Sequence, residues 1–316
     1  MINKRIMIIG GTGALGRTLV KRYHKDNEIL VFSRDEHKHV NMSRNFPNIS
    51  YQIGDVKEKD CLLKALNEYK PQVVVNAAAL KHVPVCEDNP YESVKVNILG
   101  HENLLECLSV SNHQIETLMF ISTDKACKPI NVYGMCKAIS ERLYIDFAKK
   151  QNSTKVVLCR YGNVVESTGS VIPFFKKLLE EEGVSSLPVT DKRMTRFLIT
   201  LDESVELIDW AFTHPESHGT IVVPKLKSLK VVDLARVLGE YCGIDDISIE
   251  YVGIRPGEKI HEEMVSFEES LRTKEFTKYF MITDSLTGGD AWSFSSDAVV
   301  LSSSEVPGFL KDRSVI

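Results

Sequence analysis

The segment from Ile121 to Lys137 reads ISTDKACKPINVYGMCK and holds the densest group of reactive side chains in the sequence. It begins on an apolar run and contains a Ser-Thr pair, an Asp-Lys pair and a Tyr-x-x-x-Lys. Side chains four residues apart project from one face of a helix, so Tyr133 and Lys137 are predicted to act on the same atom. This concentration predicts that the segment carries the chemistry of the protein.

Tyr133 and Lys137 fit the removal of hydride from a secondary alcohol. A free tyrosine has a pKa of roughly 10, so a tyrosine base at pH 7 needs a pKa lowered by up to about three units, or about 4 kcal/mol. A neighbouring ammonium and a positively charged nicotinamide would supply that shift. Ser122 or Thr123 would hydrogen-bond the same substrate oxygen. The alternative is a chance Tyr-x-x-x-Lys in an ordinary helix.

The adjacent Asp124 and Lys125 supply an acid and a base that hydride transfer alone does not need. Oxidation of a sugar alcohol to a ketone acidifies the neighbouring C–H bond, and an acid–base pair there can expel a β-hydroxyl as water. Lys125 would remove the proton if burial and the nearby Lys137 lower its pKa. Asp124 would protonate the departing hydroxyl if its pKa is raised. The alternative is a salt-bridged loop pair.

A glycine-rich turn follows the first apolar run of the chain. The run ends at Ile9, GGTGALG occupies 10–16, and helical spacing of apolar residues continues to Tyr23. Glycines at 10, 13 and 16 would let the backbone approach a pyrophosphate, whose charge would lie at the helix N-terminus. The turn therefore predicts a dinucleotide site, although many strand-to-helix turns use glycine without binding one.

The second strand predicts which dinucleotide binds. An acidic residue at its tip would select the ribose hydroxyl of NAD, but the tip here is Ser33-Arg34. A guanidinium pairs with phosphate oxygens in a bidentate manner, so NADP is favoured and NAD is the less favoured cofactor. The alternative is a solvated arginine that Asp35 neutralises.

Three later strand ends complete the predicted nucleotide site. Asp55 and Val56 follow the third strand and would flank the adenine, although Asp55 is equally plausible as a helix N-cap. Ala77 and Ala78 follow the fourth strand and leave room for a cofactor. Lys81, a few residues further, is a reasonable phosphate contact.

Six apolar runs alternate with helical patterns, and this alternation predicts an α/β fold with a Rossmann-type doubly wound parallel sheet. One of the helical patterns covers 91–109 and predicts a single helix. Beyond Arg160 the alternation breaks down, which predicts a smaller, interleaved C-terminal substrate lobe. We predict an NADP-binding domain over 1–165, to which about 195–225 returns, and a lobe over 166–316 that mainly binds substrate and ends in a tail. The predicted strands are 5–9, 28–32, 49–53, 73–76, 117–122 and 155–160.

Composition limits the partners of the 316-residue chain. A net charge of −4, a pI near 6.2 and the lack of a basic stripe argue against nucleic acid. Seven cysteines without a C-x-x-C pair or a Cys/His cluster predict reduced thiols and no metal site. No run approaches the roughly eighteen apolar residues of a membrane span. We expect a soluble, cytoplasmic protein that binds neither nucleic acid nor membrane.

Taken together, the motifs resemble those of the soluble, C5-inverting UDP-N-acetylglucosamine 4,6-dehydratase family of extended short-chain dehydrogenases/reductases. In that family Thr-Asp-Lys distinguishes these enzymes from hexose 4,6-dehydratases with Thr-Asp-Glu and from 4-epimerases that lack the pair. The motifs that carry the resemblance are GGTGALG at 10–16, FSRDE at 32–36, NAAALKHVP at 76–84, ISTDKA and NVYGMCK within 121–137, RYGNVVESTGSVIPFF at 160–175 and RPGEKIHEEM at 255–264.

The resemblance implies oxidation of UDP-N-acetylglucosamine at C4, elimination of water across C5 and C6, return of hydride to C6 and inversion at C5. The product would be a UDP-2-acetamido-2,6-dideoxy-4-keto-L-hexose for polysaccharide or glycan biosynthesis. Tyr133 would be the C4 base with Lys137 as its partner, Asp124 the acid for the C6 hydroxyl and Lys125 the C5 base, with Thr123 beside them. A homo-oligomer, dimeric or larger, is also implied.

The same resemblance assigns binding residues. Asn163, Arg255 and Glu258 fall on positions that hold the UDP, and Lys81 lies near the diphosphate or the sugar. Without the resemblance, Arg255 and Glu258 would be read as surface charges. The residues predicted to bind the cofactor are Gly10, Thr12, Gly13, Ala14, Leu15, Gly16, Ser33, Arg34, Asp55, Val56, Ala77, Ala78, Tyr133 and Lys137.

Three departures from the family pattern weaken the prediction of substrate preference. Glu166 stands where the family usually has glycine, Thr168 where it often has arginine, and Lys192 where proline is usual. Two other functions are open. A nucleotide-sugar 4-epimerase would form an isomer without loss of mass, and a non-catalytic NADP-binding sensor or scaffold would turn over no nucleotide sugar.

Overall fold

The computed structural model describes residues 1–151, 153–165, 167, 169–181 and 184–316. Its strands are β1 (Arg5–Ile9), β2 (Glu28–Ser33), β3 (Ser50–Ile53), β4 (Val73–Asn76), β5 (Thr117–Ile121), β6 (Lys155–Cys159), β7 (Asn163–Val164), β8 (Ser186–Val189), β9 (Thr195–Ile199), β10 (Thr220–Pro224), β11 (Ser228–Lys230), β12 (Ser248–Tyr251), β13 (Glu263–Val265), β14 (Thr273–Glu275), β15 (Tyr279–Ile282) and β16 (Phe294–Ser295).

The helices are α1 (Ala14–Tyr23), α2 (Glu36–Asn45), α3 (Lys59–Tyr69), α4 (Val83–Asp88), α5 (Pro90–Val94), α6 (Gly100–Val110), α7 (Val132–Lys149), α8 (Val171–Glu181), α9 (Leu201–Thr213), α10 (Val231–Tyr241), α11 (Phe267–Ser270) and α12 (Val306–Asp312). A π-helical turn covers Lys95–Leu99, and 3-10 turns cover Asp124–Ala126 and Pro215–Ser217. Among the described residues, no helix is both long and apolar enough to cross a membrane.

The largest sheet has the strand order β14-β15-β10-β6-β5-β4-β1-β2-β3. The strands from β3 to β10 in this order run parallel, and β15 and β14 pair antiparallel at the far edge. The order reverses between β1 and β4, and ligands bind at such a reversal, beyond the carboxyl ends of the strands. The predicted Rossmann-type doubly wound sheet is confirmed.

Burial explains why these strands read as apolar runs. Residues 6–9 of β1 and 73–76 of β4 are nearly or fully buried, because helices cover both faces of a parallel sheet. A second hydrophobic core lies in the C-terminal half and is built mainly from α8, α10 and α12 with β8. The small sheets β11-β9-β7 and β12-β8 contribute residues to it, whereas the buried residues of the sheet β13-β16 belong to the core of the large sheet.

Two segments differ from the sequence prediction. The helix predicted over 91–109 is present, but a π-helical turn at Lys95–Leu99 interrupts its α-helical pattern between α5 and α6, which the sequence did not predict. Within that turn Asn97 bonds both backbone groups of Leu80, at 2.9 and 2.8 Å, which fixes the loop after β4. The strands β14 and β15 lie within 166–316, for which the sequence predicted mainly a substrate lobe, yet they extend the large sheet.

Candidate active site

The segment Ile121–Lys137 crosses the carboxyl end of the large sheet. It leaves β5, forms the 3-10 turn Asp124–Ala126 and enters α7. Asn131 caps α7 by accepting a hydrogen bond from the Gly134 amide at 2.7 Å. A Cβ at Gly134 would lie 2.2 Å from the carbonyl oxygen of Lys125. Only glycine therefore lets the first turn of α7 pack directly on the turn that carries Asp124 and Lys125.

A cavity of about 670 Å³ opens at this edge of the sheet, within the size range of small-molecule sites. Asp124 lies behind its wall, and Arg255 and Glu258 do not line it. The predicted residues that line it are Gly10, Thr12, Gly13, Ala14, Leu15, Gly16, Ser33, Arg34, Asp55, Val56, Ala77, Ala78, Lys81, Thr123, Lys125, Tyr133, Lys137 and Asn163.

The glycine turn fits a dinucleotide. Gly10 has φ +76° and a Cβ there would lie 2.7 Å from the Ala78 amide nitrogen, and a Cβ at Gly16 would lie 2.3 Å from Gly11 O. These two glycines bring β1, α1 and the end of β4 together. Gly13 is the exposed N-cap of α1, and none of the described side chains caps that helix. The first amides of α1 are therefore available to a pyrophosphate.

The hydroxyl of Ser33 is held within the protein where the end of β2 meets the cavity. Its Oγ lies 3.0 Å from Thr12 Oγ1 and 2.7 Å from His39 Nε2. The imidazole of His39 is buried and also reaches Ser33 O at 3.0 Å. The sequence analysis missed His39, because nothing in the sequence indicates that the ring of a histidine in α2 contacts the end of β2.

Arg34 and Asp55 lie at the rim of the same end. Arg34 Nη1 is 3.8 Å from Asp55 Oδ2, and the arginine side chain is 59% exposed, so its guanidinium is accessible to a phosphate. Asp55 Oδ1 accepts a hydrogen bond from Lys57 N at 3.0 Å. Glu58 is the residue at the N-cap position of α3, so Asp55 is not that cap.

Tyr133 is buried at the inner end of the cavity. Burial raises its pKa to about 12, while the charge of Lys125 and a hydrogen bond with Thr123 act in the opposite direction. The sequence analysis expected a neighbouring ammonium and a positively charged nicotinamide together to lower the pKa of this phenol. Burial outweighs the ammonium of Lys125 by itself, and the combined effect with a nicotinamide stays a prediction.

Lys137 is buried beside it. Its Nζ donates to Ile121 O at 2.6 Å and lies 3.9 Å from the centroid of the Phe120 ring. Burial lowers the pKa of Lys137 to about 7, and the carboxylate of Glu141 opposes that shift. The contact with Ile121 ties α7 to the end of β5 and so fixes the position of Tyr133 one turn earlier.

Lys125 is surrounded by oxygen atoms. Its Nζ lies 3.1 Å from Asp124 Oδ1, 3.2 Å from Asn163 Oδ1 and 3.5 Å from Glu262 Oε1. Burial disfavours the ammonium, but Asp124 and Glu262 outweigh burial and raise the pKa of Lys125 above its ordinary range. The predicted lowering of this pKa is therefore wrong, because the sequence did not reveal the second carboxylate.

Asp124 has no exposed side-chain surface. Burial raises the pKa of Asp124, as predicted, while Lys125 opposes that shift. Thr123 Oγ1 donates to Asp124 Oδ1 at 2.9 Å, and Oδ2 has no hydrogen-bond partner among the described residues. The carboxyl group therefore has one oxygen anchored by Thr123 and Lys125 and the other buried without a hydrogen-bond partner among the described residues.

Glu262 completes this group and was missed as a site residue. It belongs to the RPGEKIHEEM motif, and its side chain is only 3% exposed. Its backbone nitrogen donates to Ser296 Oγ at 2.9 Å, and Arg196 Nε lies 3.9 Å from Glu262 Oε1. Glu262 could not be predicted because it is far from Lys125 in the sequence, and periodicity cannot show that its segment crosses the turn that carries Lys125.

A buried ion network lies behind the segment and engages the hydroxyl of Ser122 but not that of Thr123. Ser122 Oγ donates to Glu141 Oε1 at 2.6 Å, so its proton is engaged there. Arg160 links Glu141 at 2.6 Å to Glu269 at 2.8 Å. Of the two hydroxyls considered from the sequence, Thr123 is the one beside Tyr133.

The predicted substrate residues divide into two groups. Lys81 and Asn163 line the cavity, and the ammonium of Lys81 donates to Ser167 Oγ. Arg255 and Glu258 lie outside it and 3.9 Å apart. Their segment is nevertheless anchored to the N-terminus of α7, because Asn131 Nδ2 donates to the carbonyl oxygen between them at 2.8 Å.

The family departures are only partly visible. Lys192 is exposed within the turn from Asp191 to Met194. Glu166 and Thr168 lie outside the described residues.

Known proteins support the resemblance that the motifs predicted. The "UDP-N-acetylglucosamine 4,6-dehydratase (inverting)" of Campylobacter jejuni is 41% identical over 294 residues, which cover 90% of this chain and 85% of that protein. A "UDP-glucose 4-epimerase" of Rickettsia felis is 38% identical over 291 residues, or 89% and 83% of the two chains. The X-ray structure of Pen from Bacillus thuringiensis superposes with a TM-score of 0.91 at 31% identity, over 100% of this chain and 99% of that one. The family model described as "Polysaccharide biosynthesis protein" matches residues 6–284, and the chain belongs to this family.

Proposed function

We propose that the protein is an inverting UDP-N-acetylglucosamine 4,6-dehydratase that yields a UDP-2-acetamido-2,6-dideoxy-4-keto-L-hexose. The observation that carries the proposal is the pair formed by buried Asp124 and Lys125, 3.1 Å apart and next to Tyr133 at the inner end of the cavity. A redox site alone has no use for this pair. The printed name of the Campylobacter jejuni relative supports the same reaction.

NADP is the proposed cofactor. Gly13 and the first amides of α1 would hold its pyrophosphate, and Arg34 would pair with the ribose phosphate through its accessible guanidinium. Asp55 and Val56 would flank the adenine, and Ala77 and Ala78 would leave space along the end of β4. When bound, the nicotinamide would accept hydride from C4 of the sugar and return it to C6, so that no cofactor is consumed.

Tyr133 would take the proton of the C4 hydroxyl. Its pKa of about 12 has to fall for this role, and Lys125 and Thr123 already act in that direction. Lys137, pinned to Ile121, would hold the phenol in place and add a positive charge when protonated. Thr123 would donate to the oxygen that becomes the C4 carbonyl.

Asp124 and Lys125 would eliminate water from the 4-keto sugar. Neutral Lys125 would remove the proton at C5, the C–H electrons would form the C5–C6 double bond, and the C6 hydroxyl would leave with a proton from Asp124. The raised pKa of Asp124 suits a carboxyl group that must arrive protonated. The oxidation at C4 makes the step possible because it acidifies C5.

Binding of the nucleotide sugar is proposed for both groups of predicted residues. Lys81 would contact the diphosphate or sugar, and Asn163, which accepts from Lys125, would orient the sugar beside the base. Arg255 and Glu258 would hold the uridine diphosphate beyond the cavity wall, on the segment anchored to Asn131. Cytoplasmic location, homo-oligomer formation and a part in polysaccharide or glycan biosynthesis stay predictions.

The test is incubation of the purified protein with UDP-N-acetylglucosamine, followed by mass spectrometry of the nucleotide sugar. We expect a nucleotide sugar lighter by the mass of one water, and a nucleotide sugar of unchanged mass would refute the proposal. The relatives named UDP-glucose 4-epimerase make an epimerase the second candidate. An epimerase would form an isomer of equal mass and would keep its activity in Lys125→Ala, whereas the dehydratase would lose it.

A further inference from the structure

Glu262 has no part in the reaction as derived so far, yet its carboxylate faces the elimination pair. Its side chain is 3% exposed, Oε1 lies 3.5 Å from Lys125 Nζ, and Oε2 has no hydrogen-bond partner among the described residues. We propose that Glu262 is a positioning residue for the elimination, which fixes the Lys125 amine beside Asp124 and keeps one proton shared between those two side chains. The inference rests on the proposed dehydratase function.

Hydrogen bonds from Arg196 and with Ser296 hold the segment that carries Glu262. Arg196 on β9 donates to Lys259 O at 2.8 Å and to Ile260 O at 3.1 Å, while its Nε lies 3.9 Å from Glu262 Oε1. The Glu262 backbone is also held by Ser296. These contacts are buried, and the carboxylate faces the turn that carries Lys125 rather than solvent.

The elimination needs one proton on the pair and needs it on the correct atom. With Lys125 as an ammonium and Asp124 ionised, transfer of a proton from Nζ to the carboxylate breaks an N–H bond and forms an O–H bond. It leaves a neutral amine as base and a carboxylic acid as proton donor. No other reactant is required, and the 3.1 Å contact is short enough for direct transfer.

The charge of Glu262 keeps that shared proton from leaving to solvent. The charged or titratable groups that face the pair are Glu262, Arg196 on β9 and Tyr133 on α7, while Lys259 acts on Glu262 itself. Arg196 repels a proton on Lys125, and Glu262 offsets that repulsion. Without its negative charge, the pair would lose the shared proton at a lower pH.

The test compares pH profiles of water elimination for the wild type, Glu262→Gln and Glu262→Asp. In Glu262→Gln we expect the alkaline limb to move to lower pH by about 1 to 3 units, the usual effect of one close charge. Glu262→Asp keeps the charge and should return the limb toward the wild-type position. The matched control is Glu263→Gln, one residue along, whose carboxylate pairs with exposed Lys128 at 3.3 Å and should leave the profile unchanged. A folded Glu262→Gln protein with the wild-type alkaline limb overturns the proposal.

A second measurement uses the wild-type protein alone, without substrate, so it does not depend on whether a variant folds. In wild-type protein with ¹³C-labelled lysine, the Lys125 Cε resonance should keep its ammonium shift beyond pH 10.5, the ordinary lysine pKa. A Lys125 resonance that titrates below that pH also overturns the proposal. Failure of the wild type to dehydrate UDP-N-acetylglucosamine would instead refute the proposed function, so the two failures are distinguishable.

Discussion

Replacement of Lys125 by methionine tests how the buried acids at the site are held. The ammonium lies 3.1 Å from one oxygen of Asp124 and 3.5 Å from one of Glu262. With an effective dielectric constant of about 20, each contact contributes about 5 kcal/mol of Coulomb energy before the cost of burial is subtracted. Removal of one partner from a buried pair typically costs about 3–5 kcal/mol, because the remaining charge has no counter-ion. We therefore expect Lys125→Met to lose about that much unfolding free energy near pH 8.

The loss should depend on pH in one direction. Without the ammonium, the pKa of each buried carboxyl rises above its value of roughly 4 in the unfolded chain. A folded-state pKa that is raised penalises the fold above that pKa and costs nothing below the unfolded value. The difference in unfolding free energy between Lys125→Met and wild type should therefore shrink as the pH falls from 8 to 5.

The assay is denaturant unfolding followed by circular dichroism at both pH values. The control is Lys128→Met three residues along, whose side chain is 49% exposed and lies 3.3 Å from Glu263. A surface pair of this kind contributes at most about 1 kcal/mol. The reasoning is refuted if Lys125→Met is as stable as Lys128→Met at pH 8, or if its loss is equally large at pH 5.

Three further predictions concern the cofactor site and the network behind the segment. Arg34→Ala should weaken NADP binding about 10- to 100-fold and leave NAD binding unchanged in calorimetric titrations, since one charge-assisted hydrogen bond contributes about 1.5–3 kcal/mol; equal losses for both cofactors would contradict the assignment. Gly16→Ala should abolish dinucleotide binding and lower the melting temperature, because its Cβ would lie 2.3 Å from Gly11 O; unchanged binding would contradict the close packing. Arg160→Met should lower the unfolding free energy by about 3–5 kcal/mol, because two buried carboxylates lose their cation; an unchanged denaturation midpoint would contradict it.

Local patterns predicted the nucleotide half of the fold well. The strand β4 was predicted over the residues it occupies, and β1 likewise, because a fully buried parallel strand is a continuous apolar run with clear ends. The turn after β1 was readable because glycine is required there by the approach of Ala78. The strands and the glycine turn depend on residues that are neighbours in the chain or on a backbone geometry that only glycine readily adopts.

What escaped prediction depends on contacts between distant segments. The π-helical turn between α5 and α6 contains Asn97, whose side chain binds the backbone of Leu80, and helical periodicity does not reveal that contact. Glu262 reaches Lys125 only because β9 clamps its segment across the 3-10 turn, and that contact reversed the expected direction of the Lys125 pKa. Residue types therefore revealed the chemistry available, while the charge states depended on packing that the sequence does not display.

The central claim is that one site oxidises C4 and eliminates water before hydride returns to the same sugar. UDP-N-acetylglucosamine that carries deuterium at C4 tests it directly, with the purified protein in ordinary water and the product followed by NMR and mass spectrometry. We predict a nucleotide sugar lighter by one water with the deuterium at C6. An isomer of unchanged mass with the deuterium still at C4 would contradict the claim.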